Sequence, residues 1–71
     1  MIRNRIAELL EEKGKTTYWL AKECRVSYAS MSKLVKNNTE SVKFETIDLI
    51  CESLDCDISD IFIRISKNNA G

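Results

Sequence analysis

The sequence predicts an all-α domain of five short helices with a short terminal β-strand. Three observations predict it. Apolar residues recur at helical spacing through most of the 71 residues, cap-forming residues precede several of those stretches, and Pro is absent while Gly occurs only twice. A chain this short buries only about 60% of the surface its unfolded form exposes, which supports a single core. One domain is therefore expected over residues 1–66, with a flexible tail at 67–71.

Ile2, Ile6, Leu9 and Leu10 fall at i, i+4, i+7 and i+8, the stripe of an amphipathic helix, and Gly14 supplies a stop after Lys13. Thr16 can cap a second helix whose Leu20, Ala21 and Cys24 form a narrow apolar face. Only Arg25 and Val26 separate that face from Ser27, which can cap a third helix carrying Met31, Leu34 and Val35 through about Lys36. Asn37, Asn38, Thr39, Glu40 and Ser41 are polar without periodicity and read as a loop. Phe44, Ile47, Ile50, Cys51 and Leu54 mark a fourth helix. Asp57 can cap a short fifth one in which Ile58, Ile61 and Phe62 close the core. Ile61, Ile63 and Ile65 then alternate with Phe62, Arg64 and Ser66, the period of a strand.

Composition narrows the function. With 44% hydrophobic and 31% charged residues the chain is folded rather than disordered. Histidine is absent, which removes Ser-His and Cys-His nucleophile pairs, imidazole metal ligands and a His base, so an enzyme is not expected. Cys24, Cys51 and Cys56 form no CxxC and lack the partners of a zinc tetrahedron, so neither a metal nor a cofactor is expected. They read as small apolar residues on buried faces in a reducing cytosol; a metal- or redox-responsive site at Cys51 and Cys56 is the competing reading. The opening residues interleave charge with apolar side chains, unlike a signal peptide, and no stretch is long enough to span a bilayer. A cytoplasmic protein with no membrane partner and no small-molecule substrate is expected.

The eleven basic and eleven acidic residues cancel in sum but not along the chain. Between Gly14 and Lys43, six basic residues (Lys15, Lys22, Arg25, Lys33, Lys36, Lys43) face two acids (Glu23, Glu40). From Phe44 onward, six acids (Glu45, Asp48, Glu52, Asp55, Asp57, Asp60) face two basic residues (Arg64, Lys67). The basic segment surrounds the third helix. A small residue in one helix, a tight turn and a second short helix are what two helices crossing at a steep angle require. Ala21 allows the close crossing, and Val26, Met31 and Leu34 anchor the third helix from one side. Tyr28, Ala29, Ser32, Lys33 and Lys36 are then left projecting outward. In a helix-turn-helix that outward face fits the major groove of DNA.

The stretch from Thr16 to Leu34 resembles the phage-repressor (Cro and lambda-repressor-like) helix-turn-helix family. The family's pattern is Leu-Ala, three variable residues, Gly, an aliphatic, Ser or Thr, three variable residues, then an aliphatic and Ser. All but the Gly is met, by Leu20-Ala21, Val26, Ser27, Met31 and Ser32. The similarity continues through Phe44-Glu45-Thr46-Ile47 and through Asp57-Ile58-Ser59-Asp60-Ile61-Phe62, covering roughly residues 2 to 62. It implies a lambda-repressor-like domain that binds double-stranded DNA sequence-specifically. A transcriptional regulator, in all expectation a repressor, would bind a palindromic operator as a homodimer. By position, Tyr28, Ala29, Ser32 and Lys33 would read bases. Thr17, Ser27, Ser30, Lys36, Asn37, Asn38 and Lys43 would hold phosphates. Ser27 caps its helix with or without DNA.

Two positions depart from the pattern. Arg25 replaces the Gly that takes a left-handed conformation in the turn, where a side chain costs about 1 kcal/mol. Either the turn is reshaped or Arg25 contributes a phosphate contact. Thr17 stands where many relatives have Gln, which shortens the reach to DNA. Tyr18 and Trp19 are helix neighbours that cannot face the same way, so one is expected to be partly exposed, as a ring covering the edge of the core. Leu49 lies off the fourth helix's stripe and, with Ile63 and Ile65, is expected to form the dimer interface. The competing function is a protein-interaction module of the same fold, such as an antitoxin, that uses the acidic half against another protein.

Overall fold

The chain begins with strand β1 (Ile2–Asn4) and continues through α1 (Ile6–Glu12), α2 (Thr17–Cys24), α3 (Tyr28–Val35), α4 (Phe44–Leu54), α5 (Ile58–Ile61) and β2 (Phe62–Arg64). The structure, a computed structural model, describes residues 1–65; Ser66 and the expected tail at 67–71 lie outside the described residues. β1 and β2 pair antiparallel, with Ile2 opposite Arg64, Arg3 opposite Ile63 and Asn4 opposite Phe62. The ladder is extended at both ends. Arg5 N–H donates to the Ile61 carbonyl at 2.6 Å, and Ile65 N–H to the Met1 carbonyl at 2.7 Å.

The first helix therefore starts at Ile6 and not at Ile2. Ile2 fits the helical stripe by spacing, but its backbone has a strand partner sixty residues away that a local pattern does not reveal. Asn4 reinforces the break, since its Oδ1 accepts the Ile6 N–H at 3.0 Å and starts the helix from outside it. The other starts follow the sequence. Thr16 Oγ1 accepts Trp19 N–H at 3.0 Å, and Ser27 Oγ accepts Ser30 N–H at 3.1 Å. The Asp57 carboxylate accepts Ser59 N–H at 3.1 Å while Asp60 reaches back to Asp57 N–H at 3.0 Å. The two hydrogen bonds from Ser59 to Asp57 hold its carboxyl below the usual carboxylate range.

The first four helices all stop the same way. Each ends on one residue in the left-handed region: Gly14 (φ 66), Arg25 (φ 58), Asn37 (φ 62) and Asp55 (φ 53). In each case the following N–H reaches back five residues: Lys15 to Leu10, Val26 to Ala21, Asn38 to Lys33 and Cys56 to Cys51, at 2.8–3.1 Å. This paired closure satisfies carbonyls that the helix end would otherwise leave bare, and it turns the chain sharply. Only one of the four is glycine. Asn and Asp tolerate the conformation well, while Arg25 carries a Cβ cost of about 1–2 kcal/mol.

Ile6, Leu9, Leu10, Leu20, Ala21, Cys24, Met31, Leu34, Ile47, Ile50, Leu54 and Ile61 form one core, with Trp19, Val26, Val35 and Phe62 packed half-buried against it. Two expected core residues are outside it. Phe44, the first residue of α4, is 92% exposed, and Ile58, the first of α5, is 54% exposed. Both fit their stripes by spacing. Spacing fixes the angle around the helix axis and not where along the axis the core ends, so a first residue can lie beyond the core, as these two do, or within it, as Ile6 does.

Substituting Arg25→Gly should stabilise the fold by about 0.5–1 kcal/mol in urea denaturation, the relieved Cβ strain being partly offset by a freer unfolded chain. Asn37→Gly should destabilise it by about 1–2 kcal/mol, because Asn37 carries side-chain hydrogen bonds that Gly cannot replace.

Candidate nucleic-acid interface

The α2–α3 pair is built so that α3 buries one side only. Met31 and Leu34 enter the core from α3, against Leu20, Ala21 and Cys24 of α2, with Val26 half-buried in the turn. Ala21 is fully enclosed, and its methyl leaves room for α3 to pass close by. Arg25 keeps the left-handed turn despite its side chain, so the turn is not reshaped, and the Arg25 side chain points into solvent. Tyr28, Ala29, Ser30, Lys33 and Lys36 are exposed along the outer side of α3, and Ser32 is half-buried.

The flanks of α3 are held by contacts between side chains distant in sequence. The Tyr28 ring, 55% exposed, packs against Tyr18 of α2, 61% exposed, with centroids 6.5 Å apart and planes tilted by 46°. The Lys22 ammonium lies 5.7 Å from the Tyr18 ring centre. Of the adjacent aromatics, Tyr18 is thus the exposed one. Trp19 turns to the core and carries Lys15 at 5.0 Å from its ring centre. Tyr28 therefore stands at the start of α3 in a defined position, and Tyr18 and Lys22 join the surface there. The spacing of Tyr18 and Lys22, four apart on one helix, was the readable signal; their meeting with Tyr28 was not.

The far end of α3 is tied to β1. Asn4 N–H donates to Asn37 Oδ1 at 2.8 Å, and Asn37 Nδ2 donates to the Asn4 carbonyl at 3.3 Å. Asn4 Nδ2 donates to the Leu34 carbonyl at 2.6 Å. The Asn37 amide, expected at a phosphate, is engaged here in holding the end of α3. Asn38 beside it is exposed. Asn4 had no motif to mark it.

Thr17 is half-buried at the start of α2. Ser27 and Ser30 share a hydrogen bond of 3.0 Å between their hydroxyls at the start of α3. Lys43 is the exposed residue that opens α4, and it lines a groove with Arg25, Ser30, Lys33 and Leu49. The structure thus brings Arg25, Ser30, Lys33 and Lys43 around one groove beside α3. It does not bring together the three residues expected at a dimer interface. Leu49 is half-buried in that groove, whereas Ile63 and Ile65 lie exposed at β2. The carboxylates of Asp48 and Asp57 instead border a different groove, formed by α4 and α5 with Phe44, Ile47, Cys51, Cys56 and Ile58. Among the described residues, no three His, Cys, Asp or Glu side chains gather as a metal site, and no helix is long and apolar enough to cross a membrane.

This architecture has counterparts. No curated protein sequence matches the chain. Among solved structures it is similar to the crystal structure of a Bacteroides fragilis protein provisionally designated DNA-binding. The TM-score is 0.80 and the identity 27%, covering 89% of this chain and 100% of that one. The sequence model of the Cro/C1-type HTH DNA-binding domain matches residues 5–67, which spans every helix and both faces of the α2–α3 turn. With nearly the whole chain matched and a five-helix fold around an outward-facing α3, the chain belongs to the Cro/C1-type helix-turn-helix DNA-binding family.

Proposed function

We infer that the protein is a sequence-specific transcriptional regulator, a repressor that binds a palindromic operator as a homodimer in the cytoplasm. The observation that carries the reading is the one-sided burial of α3 within the basic half of the chain. Its apolar residues are taken up by the core, and its polar residues stand free beside Arg25, Lys36 and Lys43. An α-helix of this kind fits the major groove, about 12 Å wide, where each base pair shows its own donor and acceptor pattern.

Within that reading Lys33, Ser32, Ala29 and Tyr28 address base edges, and Lys33 is suited to guanine O6 and N7. Thr17, Ser27, Ser30, Arg25, Lys36, Asn38 and Lys43 address phosphates on either side. The exposed N–H groups opening α2 and α3 favour anions there. Asn37 acts through position, by fixing α3 against β1.

A second copy is required because one short helix with few basic neighbours binds weakly, whereas two held about 34 Å apart engage successive major grooves on one face of DNA. The self-association surface best supported is the α4–α5 groove. Its Phe44 is the most exposed large apolar side chain among the described residues, and it sits beside a groove that the same residue of a second copy could fill across a twofold axis. Ile63 on β2 and Ile65 just after it are less exposed, and Leu49 is half-buried. Asp48 and Asp57 then approach their own copies, so salt should strengthen the dimer by screening them, while it weakens DNA binding by counterion competition.

The direct test is footprinting of the purified protein on the DNA around its own gene, followed by titration of the protected site against random DNA. Absence of DNA affinity at low salt would overturn the reading in favour of the protein-interaction module. Lys33→Ala should cost about 1–3 kcal/mol on the specific site and relax base preference there, whereas Lys36→Ala should weaken all sequences alike and reduce the salt slope by about one unit. Equal losses on both DNAs for Lys33→Ala would remove its readout role. Phe44→Glu should shift the protein from dimer to monomer in sedimentation while the monomer keeps its helical circular dichroism and loses the concentration dependence of its melting temperature; an unchanged dimer would place the interface elsewhere.

A further inference from the structure

The groove between α4 and α5 contains two thiols that the DNA-binding reading does not use. Cys51 and Cys56 occupy the two ends of the closure that terminates α4. Asp55 takes the left-handed position, Asp55 N–H bonds back to Glu52 and Cys56 N–H donates to the Cys51 carbonyl at 3.0 Å. In this closure the residue after the left-handed position packs its side chain on the residue five before it. A hydrophobic pair frequently occupies these two positions; this helix places two cysteines there. Bond lengths alone, added to the 3.0 Å hydrogen bond, keep their Cα atoms within about 7 Å. A disulfide spans Cα separations of about 4.4–6.8 Å. In the single subunit both cysteines are half-buried and line the same open groove, and both are free; the dimer proposed above would cover that groove, so the reaction belongs to the dissociated subunit. The third, Cys24, is buried in the core.

We propose that Cys51 and Cys56 form a dithiol modification site, which low-molecular-weight disulfides of the glutathione class convert to an intramolecular disulfide that staples the end of α4 to the start of α5. One thiolate attacks the small disulfide, forming a mixed disulfide and releasing one small thiol. The other cysteine's thiolate then attacks the protein sulfur of that mixed disulfide and expels the second small thiol. The chain loses two protons and two electrons, and the reagent takes them up to become two thiols.

The surroundings set the character of the pair. Burial, foremost, and then the carboxylates of Asp57 and Asp48 push the Cys51 thiol up, with the neighbouring Cys56 thiol acting the other way. Burial, then Cys51 and Asp60, push up Cys56, with Lys13 opposing. Thiolate is therefore scarce and oxidation is slow. The same cysteines are poor leaving groups, so the disulfide once formed is slow to be reduced. This is the behaviour of a latch, and unlike that of a fast peroxide sensor.

The test uses the full chain and does not depend on DNA. The native protein, diluted until sedimentation shows it monomeric so that self-association does not cover the groove, is incubated with oxidised glutathione, quenched in acid, unfolded and alkylated. The expected product is one hydrogen pair lighter, alkylated only at Cys24, and cleavage after Glu52 leaves its two fragments joined until dithiothreitol separates them. Its melting temperature should rise by a few degrees and fall back on reduction. Cys51→Ser should instead keep glutathione on Cys56, because the displacing thiol is gone. Three alkylated cysteines after prolonged incubation, stable glutathione adducts on the native chain, or a bond involving Cys24 would each overturn the proposal.

Discussion

Arg25 holds a left-handed conformation between α2 and α3, and the placement of α3 follows from it. It ends α2 and returns two N–H groups to its last carbonyls. After only Val26 and Ser27 it starts α3 in a new direction. Without that reversal Met31 and Leu34 could not meet Leu20, Ala21 and Cys24, and the outer side of α3 would not be presented free. The conformation is disfavoured for a residue with a Cβ. It persists because the fold on both sides over-determines it: two backbone hydrogen bonds close on the preceding helix, and Val26 packs against the core immediately after. A long basic side chain at that position also adds positive charge beside α3 where glycine would add none. The accommodation of strain and the character of the surface are thus linked at one residue.

A short helix needs more than its own core contacts to hold an orientation, and α3 is secured at both ends by parts of the chain far from it in sequence. At its start the Tyr18–Tyr28 pair fixes one aromatic ring against α2. At its end Asn4 and Asn37 exchange hydrogen bonds, and Asn4 also takes up the Leu34 carbonyl. Asn4 in turn belongs to β1, which β2 holds by pairing. The two-stranded sheet would be marginal alone. Here it joins the two ends of the described chain and transmits that closure to α3. Under the proposed function that rigidity matters, because bidentate contacts to base edges tolerate little angular error.

The two faces of the molecule are separated in chemistry. The basic half surrounds α3, and the acidic half carries the α4–α5 groove with its exposed Phe44, Ile58 and thiol pair. Under the proposed function salt would act on these two faces with opposite sign, since screening weakens attraction to phosphates and relieves repulsion between like carboxylates. Burial, foremost, and then the neighbouring charges push both thiols up, which slows the chemistry of the groove. A small domain can in this way keep nucleic-acid contact and self-contact on surfaces that answer differently to their surroundings.

Much of this was legible in the residues themselves. The caps at Thr16, Ser27 and Asp57, the stop at Gly14, the close contact at Ala21 and the inward Met31 and Leu34 depend on neighbours within about one turn, and local chemistry suffices to decide them. What escaped is non-local or lies at element ends. Ile2 matched a helical stripe yet became a strand, because its partner Arg64 is at the other end of the chain. Phe44 and Ile58 matched their stripes yet point outward, because periodicity fixes an angle around a helix axis and says nothing about where the core ends along it. Asn4, Asn37, Tyr18 and Tyr28 acquired their roles only by meeting across the fold. The sequence by itself therefore determined which segments are helical, where most begin and stop, and which side of α3 is apolar, since these follow from interactions a few residues apart. Only the tertiary structure decided how α3 is clamped, that Arg25 retains the turn, and which apolar side chains stay in water. Those outcomes are set by contacts between residues brought together after the chain has closed.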